Sequence, residues 1–134
     1  MGCDIHAIIE RRKVYPLLGD AYAVWVNSGD PGIDRDYALF GVLAGVRAVE
    51  YEPISNKRGL PDDCCEEFVE LARAWARDAH NHGWVTLQEL VDYPPDKGEP
   101  ISGTLRELIF LLGRVANAYG AEHDAIRLVF FFDN

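Results

Sequence analysis

The chain has 134 residues, of which 49% are hydrophobic and 26% are charged, a composition typical of one globular domain spanning residues 1–134. Its 13 basic and 22 acidic residues give a net charge of -9, which disfavours non-specific nucleic-acid binding because that requires a basic surface. No apolar run is long enough to span a bilayer and no signal peptide is evident, so we expect no membrane partner and a cytoplasmic location. An odd count of three cysteines, two of them adjacent, agrees with a reducing compartment.

Two strands are predicted near the N-terminus. Residues 3–14 alternate with period two, so Asp4 and His6 should share one strand face, opposite the apolar face that begins with Cys3. A second strand is predicted at residues 22–26. The intervening "PLLGD" supplies turn residues and predicts that the two strands form a hairpin.

The middle of the chain is predicted to be a loop followed by two helices. Residues 27–36 are rich in glycine, proline and aspartate, which favours a loop. Residues 37–44 predict a short helix that stops at Gly45. Residues 62–80 carry an apolar stripe at helical spacing and predict an amphipathic helix, which "HNHGW" then interrupts.

The last third predicts two helices and a strand. A short helix should open at Thr86 with a T-x-x-E capping box and end before the polar residues 93–100. A longer helix is predicted at residues 105–119. Residues 126–132 are almost all apolar and predict an interior strand covered on both faces. The predicted class is α+β, a small antiparallel sheet of about three strands, including the N- and C-terminal ones, packed by about four helices.

Two pairs of residues, each pair separated by one position, are candidates for acid–base or metal chemistry. Asp4 and His6 lie about 7 Å apart on a strand face, and a carboxylate with an imidazole is a usual acid–base pair. His80 and His82 could bind a divalent metal such as zinc if Asp4, His6 or Asp133 supplied a third ligand. The alternative is a polar strand face and a polar helix end, where a histidine interacts favourably with the last carbonyls.

Arginines in the middle third are candidates for gripping an anion. Arg35, Arg47 and Arg58 lie in or beside predicted loops, where a guanidinium can bind a phosphate or carboxylate through two hydrogen bonds. The alternative is structural ion pairing with the many nearby aspartates. Trp84 follows the histidine pair and is a candidate stacking wall for a planar ligand.

The adjacent cysteines are not expected to act as nucleophiles. Cys64 and Cys65 open a predicted helix, a position that can lower a thiol pKa. Four flanking acids oppose this effect, because negative neighbours disfavour the thiolate.

Several segments together resemble a known family. "MGCDIH", "RDYALFGVLAGVR", "PISNKRGLP", "HNHGWVTLQEL" and "RLVFFFDN" are similar, in order and over most of the chain, to small uncharacterised proteins of bacteriophages and prophages. The resemblance implies an accessory protein acting in the cytoplasm of a bacterial host. The residues that match the family's motifs are Asp4, His6, Arg35, Arg47, Arg58, His82, Trp84 and Asp133.

The first functional hypothesis is a binding protein for a small anionic ligand of the nucleotide type, for example a sequestered host signal. Arg47 and Arg58 would grip the anionic group, His6 and His82 would provide hydrogen bonds, and Trp84 would stack on a ring. Arg35 would assist the other arginines, and Asp133 would lie at the pocket rim or at a subunit contact of a homo-oligomer.

The second hypothesis is a hydrolase, for example a phosphodiesterase. Asp4, His6, His80 and His82 would hold a metal, or His6, His82 and Asp4 would carry out acid–base catalysis while an arginine stabilises negative charge. A third hypothesis is a protein-interaction module without a small-molecule site.

Overall fold

The computed structural model describes residues 2–16, 22–94 and 103–134. This part of the chain forms four strands and four α-helices. In chain order they are β1 Asp4–Val14, β2 Ala23–Asn27, α1 Tyr37–Ala44, α2 Glu66–Trp75, β3 Ala79–Thr86, α3 Leu87–Asp92, α4 Gly103–Tyr119 and β4 Ile126–Asp133. Most of the predicted turn at residues 16–20 and of the predicted break at residues 93–100 lies outside the described residues.

The four strands form one antiparallel sheet in the order β2-β1-β4-β3. The predicted α+β class is confirmed, with one strand more than predicted, and β1 and β2 pair as the expected antiparallel neighbours. β4 lies inside the sheet, and its residues 126–132 are all buried. An apolar run without polar alternation fits such a strand, because both of its faces are covered.

The two faces of the sheet are covered by different helices. The face that carries Cys3, called here the Cys3 face, packs against α1, α3 and α4 through residues such as Phe40. The face that carries His6, called the His6 face, packs against α2, whose Phe68 contacts the Phe131 ring at a centroid distance of 5.5 Å. The predicted division of Cys3 and His6 between opposite faces is confirmed. Among the described residues, no helix is both long and apolar enough to cross a bilayer.

The "PISNKRGLP" turn is tied to the end of α1. The helix stops at Gly45, whose φ of 71° lies in the left-handed region that glycine adopts readily. The N–H groups of Ile54 and Ser55 then donate to the carbonyls of Val42 and Leu43 at 2.9 and 2.8 Å. These bonds satisfy carbonyls that the helix end leaves free and carry the turn to the edge of β3.

The prediction for residues 62–80 was wrong at its C-terminal end. α2 ends at Trp75, because Ala76 takes a φ of 49° that cannot continue a helix. The "HNHGW" segment is not a break between helices but part of the edge strand β3. A register shift with Asn81 at a φ of 51° bulges this strand, so its period-two pattern is not readable in the sequence.

Candidate functional site

One cluster of polar residues forms where β1 begins and β4 ends. Asp4 pairs with Asp133 across the two strands, and His6 Nε2 lies 2.5 Å from Asp133 Oδ2. The His6 ring stacks on Phe131 at a centroid distance of 4.8 Å and lies 4.5 Å from the Trp75 ring. The His6 side chain is 25% exposed and that of Asp133 15%, so the pair is reachable from solvent.

Two of the predicted arginines lie just beyond opposite ends of α1. Arg35 pairs with Asp4 at 2.9 Å, and this bond raises the pKa of the guanidinium. Arg47 lies 5.5 Å from the centre of the Tyr37 ring. Burial raises the pKa of the Cys3 thiol, and the neighbouring Arg47 partly offsets this rise. Asp4, His6, Arg35 and Asp133 are called the sheet-end cluster, whereas Arg47 lies beside Cys3 and Tyr37.

The two histidines of β3 lie on opposite faces of the sheet. His82 lies 5.6 Å from the Phe131 ring and therefore on the His6 face. His80 stacks 6.2 Å from Phe132, on the Cys3 face. Burial, and to a lesser extent the neighbouring His80, lowers the pKa of His82, which favours its neutral form.

The predicted metal set does not assemble. Asp4, His6, His80 and His82 supply no three donor atoms within 4.8 Å of one another, and His80 is on the wrong face. The bulge in β3 is the physical reason, since two histidines two apart in a regular strand would share a face.

Among the described residues, three metal-type donors meet within 4.8 Å at Glu10, Cys64 and Cys65. Glu10 already accepts hydrogen bonds from Arg127 Nε at 2.7 Å and from the Cys65 N–H at 2.8 Å. Burial and the Glu10 carboxylate raise the pKa of Cys64 to about 12 and that of Cys65 to about 11. Protonated thiols and an adjacent guanidinium favour a hydrogen-bonded cluster over a metal site.

A second candidate site lies near the other end of the His6 face. Trp25, Trp84, Arg58 and Arg127 line an open groove of about 670 Å³, called here the tryptophan groove. The Arg127 guanidinium lies 3.8 Å from the centre of the Trp25 ring, and that of Arg58 lies 4.6 Å from the centre of the Trp84 ring. Both distances are those of cation–π contacts.

Each groove arginine is fixed by carboxylates. Arg58 makes two hydrogen bonds to Glu89, at 2.9 and 2.5 Å, and a third to the Trp84 carbonyl at 3.0 Å. Glu89 is itself part of the predicted Thr86 capping box, which is confirmed, and the Arg58 bonds lower its pKa. Arg127 is buried and bonds Glu10 at 2.7 Å and Asp63 at 3.0 Å.

Six of the predicted site residues therefore divide between two places. Arg58 and Trp84 line the tryptophan groove, whereas Asp4, His6, Arg35 and Asp133 form the sheet-end cluster. Between the two places, Phe68 and Ala72 of α2 pack against Val129 and Phe131 on the His6 face. One pocket combining all the predicted residues does not form.

Sequence reasoning missed Trp25, Arg127 and Glu10 as members of a site. Arg127 carried a usable signal, because a charge inside an otherwise apolar strand requires a buried partner. Glu10 carried a weaker one, since it falls on the same face of β1 as Asp4 and His6. Nothing in the sequence indicated that Trp25 would meet Trp84 across three strand boundaries.

No protein-family model matches this chain, and neither a curated protein nor a solved structure does. The likeness to bacteriophage and prophage proteins therefore stays a prediction. Function has to be inferred from the geometry of the two candidate sites.

Proposed function

We propose that this protein binds a small ligand with a flat ring and an anionic group, of the nucleotide type, in the tryptophan groove. The observation that carries the proposal is the convergence of two indole rings and two guanidiniums, from Trp25, Trp84, Arg58 and Arg127, on one groove. Its volume of about 670 Å³ falls within the range usual for small-molecule sites.

The ring of such a ligand would stack in the groove. Trp25 and Trp84 are both partly exposed, and each indole is oriented by the guanidinium that lies over it. Stacking of a base on an aromatic side chain contributes about 1–3 kcal/mol per base. The arginines restrict the movement of the rings, so less conformational entropy is lost on binding.

The anionic group would use N–H groups that the ion pairs leave free. Arg58 donates through both terminal nitrogens and Arg127 through Nε and Nη2. Arg58 Nε and Arg127 Nη1 donate no hydrogen bond to the described residues. The carboxylates of Asp62 and Asp124, which also line the groove, would accept from ligand hydroxyl or amino groups, as on a nucleoside.

The resemblance to phage and prophage proteins supports a purpose for this binding. A compact protein that holds a nucleotide without changing it would lower the free concentration of a host signal in the bacterial cytoplasm. In a binding protein of this kind, the bound ligand is recovered chemically intact.

The test is a thermal-shift and calorimetric screen against mono-, di- and cyclic nucleotides. A ligand at 100 times its Kd adds about 2.7 kcal/mol to the free energy of unfolding. Trp84→Leu should abolish the stabilisation, whereas Trp75→Leu, the same change outside the groove, should keep it. Equal loss in both variants, or no stabilisation by any nucleotide, would contradict the proposal.

A second candidate function is hydrolysis at the sheet-end cluster, and the contact of His6 with Asp133 favours it. A carboxylate 2.5 Å from an imidazole nitrogen fixes the orientation of the ring, as a general base requires. Arg35, beside Asp4, would stabilise negative charge on the substrate. A divalent metal is a candidate cofactor only if His6 and Asp4 acquire a further ligand on binding it.

A phosphodiester-hydrolysis assay distinguishes this function from binding. His6→Ala should abolish turnover, and the exposed His123, in the turn before β4, gives the control His123→Ala. Loss of turnover on chelation would assign the metal-dependent form. Turnover that survives His6→Ala would eliminate the sheet-end cluster as its source.

A further inference from the structure

A smaller pocket lies at the bulged edge of β3. It has a volume of about 290 Å³ and is lined by Ser55, Lys57, Gly59, Asn81 and His82, with Ala44 behind them. The Gly59 N–H donates to the His82 carbonyl at 3.1 Å, so the "PISNKRGLP" turn closes directly on the bulge. This site is called the bulge pocket.

Both walls of the bulge pocket contain a non-glycine residue in the left-handed region. Lys57 has a φ of 58° and Asn81 a φ of 51°. Asparagine tolerates this conformation, but a lysine gains nothing from it locally. Such strained residues persist where the surrounding structure holds them, and they concentrate at ligand sites.

The polar groups that line the bulge pocket are mainly hydrogen-bond donors. Lys57 is the one charged residue among those that line it, in a chain whose net charge is -9. Asn81 Oδ1 lies 2.7 Å from His80 Nδ1 and accepts its proton, so the Asn81 amide N–H₂ stays available to donate. His82 lines the pocket as well, and its carbonyl is occupied by the Gly59 N–H.

Ser55 adds an unsatisfied group beside the same pocket. It is 2% exposed, and its hydroxyl has no hydrogen-bond partner among the described residues. A buried hydroxyl without a partner costs about 1–3 kcal/mol, which a bound acceptor would recover.

We infer that the bulge pocket binds a phosphate group, with the Lys57 ammonium, the Asn81 amide and the Ser55 hydroxyl as donors. A surplus of donors with one cation and no carboxylate is suited to a tetrahedral oxyanion. The phosphate is either free or esterified. The tryptophan groove is adjacent to the bulge pocket. Lys57 and Gly59 line the bulge pocket, whereas Arg58 and Leu60, on the same turn, line the groove.

The experiment is an NMR titration of the full chain with inorganic phosphate at constant ionic strength, with chloride as the competing anion. We expect saturable shifts of the amide signals of residues 57–59 and 81–83. Lys57→Gly removes the ammonium and suits the left-handed backbone, so it should fold with an unchanged or higher Tm and bind phosphate at least tenfold more weakly. Lys57→Arg should retain binding, and Lys13→Gln, on β1, is the charge-matched control.

Two further titrations separate the source of the phosphate and the role of the groove. A nucleotide that binds tighter than both inorganic phosphate and its own nucleoside would assign an esterified phosphate. A nucleotide no tighter than phosphate would assign the free anion, and a nucleoside alone reports on the groove independently. No saturable phosphate shift, or a Lys57→Gly protein that binds as tightly as the native one, would overturn the inference.

Discussion

Arg127 is the residue on which the groove depends most. It is 4% exposed, at the start of the most buried strand, and Glu10 beside it is fully buried. A buried guanidinium is tolerated only when its charge is paired and its N–H groups are bonded, which Glu10 and Asp63 provide. The same contacts hold its plane against the Trp25 ring.

Removing the buried partner should destabilise the fold far more than removing the exposed one. Glu10→Gln leaves Arg127 with only the exposed Asp63 as a charged partner and should lower the free energy of unfolding by about 3–5 kcal/mol. Asp63 is 65% exposed at its side chain, so Asp63→Asn should cost under about 1 kcal/mol. Urea denaturation measures both changes in the free energy of unfolding. Equal effects of the two substitutions would show that burial does not determine how much each carboxylate stabilises Arg127.

The adjacent thiols should be unreactive in the folded protein. Burial and Glu10 raise the pKa of Cys64 to about 12 and that of Cys65 to about 11. At pH 8 the thiolate fraction of Cys64 would be about 1 in 10,000, so a disulfide reagent should label neither residue at an appreciable rate. In urea both should react as ordinary thiols. Rapid labelling of the native protein would mean that the carboxylate and burial do not act as the structure indicates.

At the scale of single elements, the sequence pattern predicted the helices and strands whose packing gives a regular spacing of apolar residues. β1 alternates because one face contacts α1 and α4 while the other carries Asp4 and His6, and α1 was predicted together with its stop at Gly45. β3 was missed because its pairing is long-range and its bulge breaks the alternation. Residue propensity alone could not predict a strand that forms because it pairs with β4.

Gly83 should be the most constrained residue of β3. A Cβ at this position would overlap the Ser55 hydroxyl and lie 3.0 Å from the Phe130 ring. Gly83→Ala should therefore destabilise the protein by about 1–3 kcal/mol. Gly113→Ala, inside α4 with no atom near the added Cβ, should instead stabilise by about 0.5–1 kcal/mol. The denaturation midpoints of the two variants should shift in opposite directions. Shifts in the same direction would refute the close packing around Gly83.

At the scale of the whole molecule, the sequence predicted which residues belong to candidate sites, but not how those residues divide between the two sites. The sequence marked Arg58 and Trp84 as binding residues, and they do meet. It also marked His6 and Asp133, which are in contact. The two sites are separated because α2 covers the His6 face between them. This arrangement depends on the tertiary packing of Phe68 and Ala72, and the spacing of polar residues in the sequence does not reveal it.

The three tryptophans report on the two candidate sites separately. Trp25 and Trp84 line the groove, whereas Trp75 lies against His6 in the other site. The most direct measurement is therefore the ¹H–¹⁵N spectrum of the three indole N–H groups during titration with a nucleotide that stabilises the protein. Binding in the groove predicts that the Trp25 and Trp84 signals shift together while Trp75 stays unchanged. A shift of Trp75 alone, or of none of the three, would contradict ligand binding in the tryptophan groove.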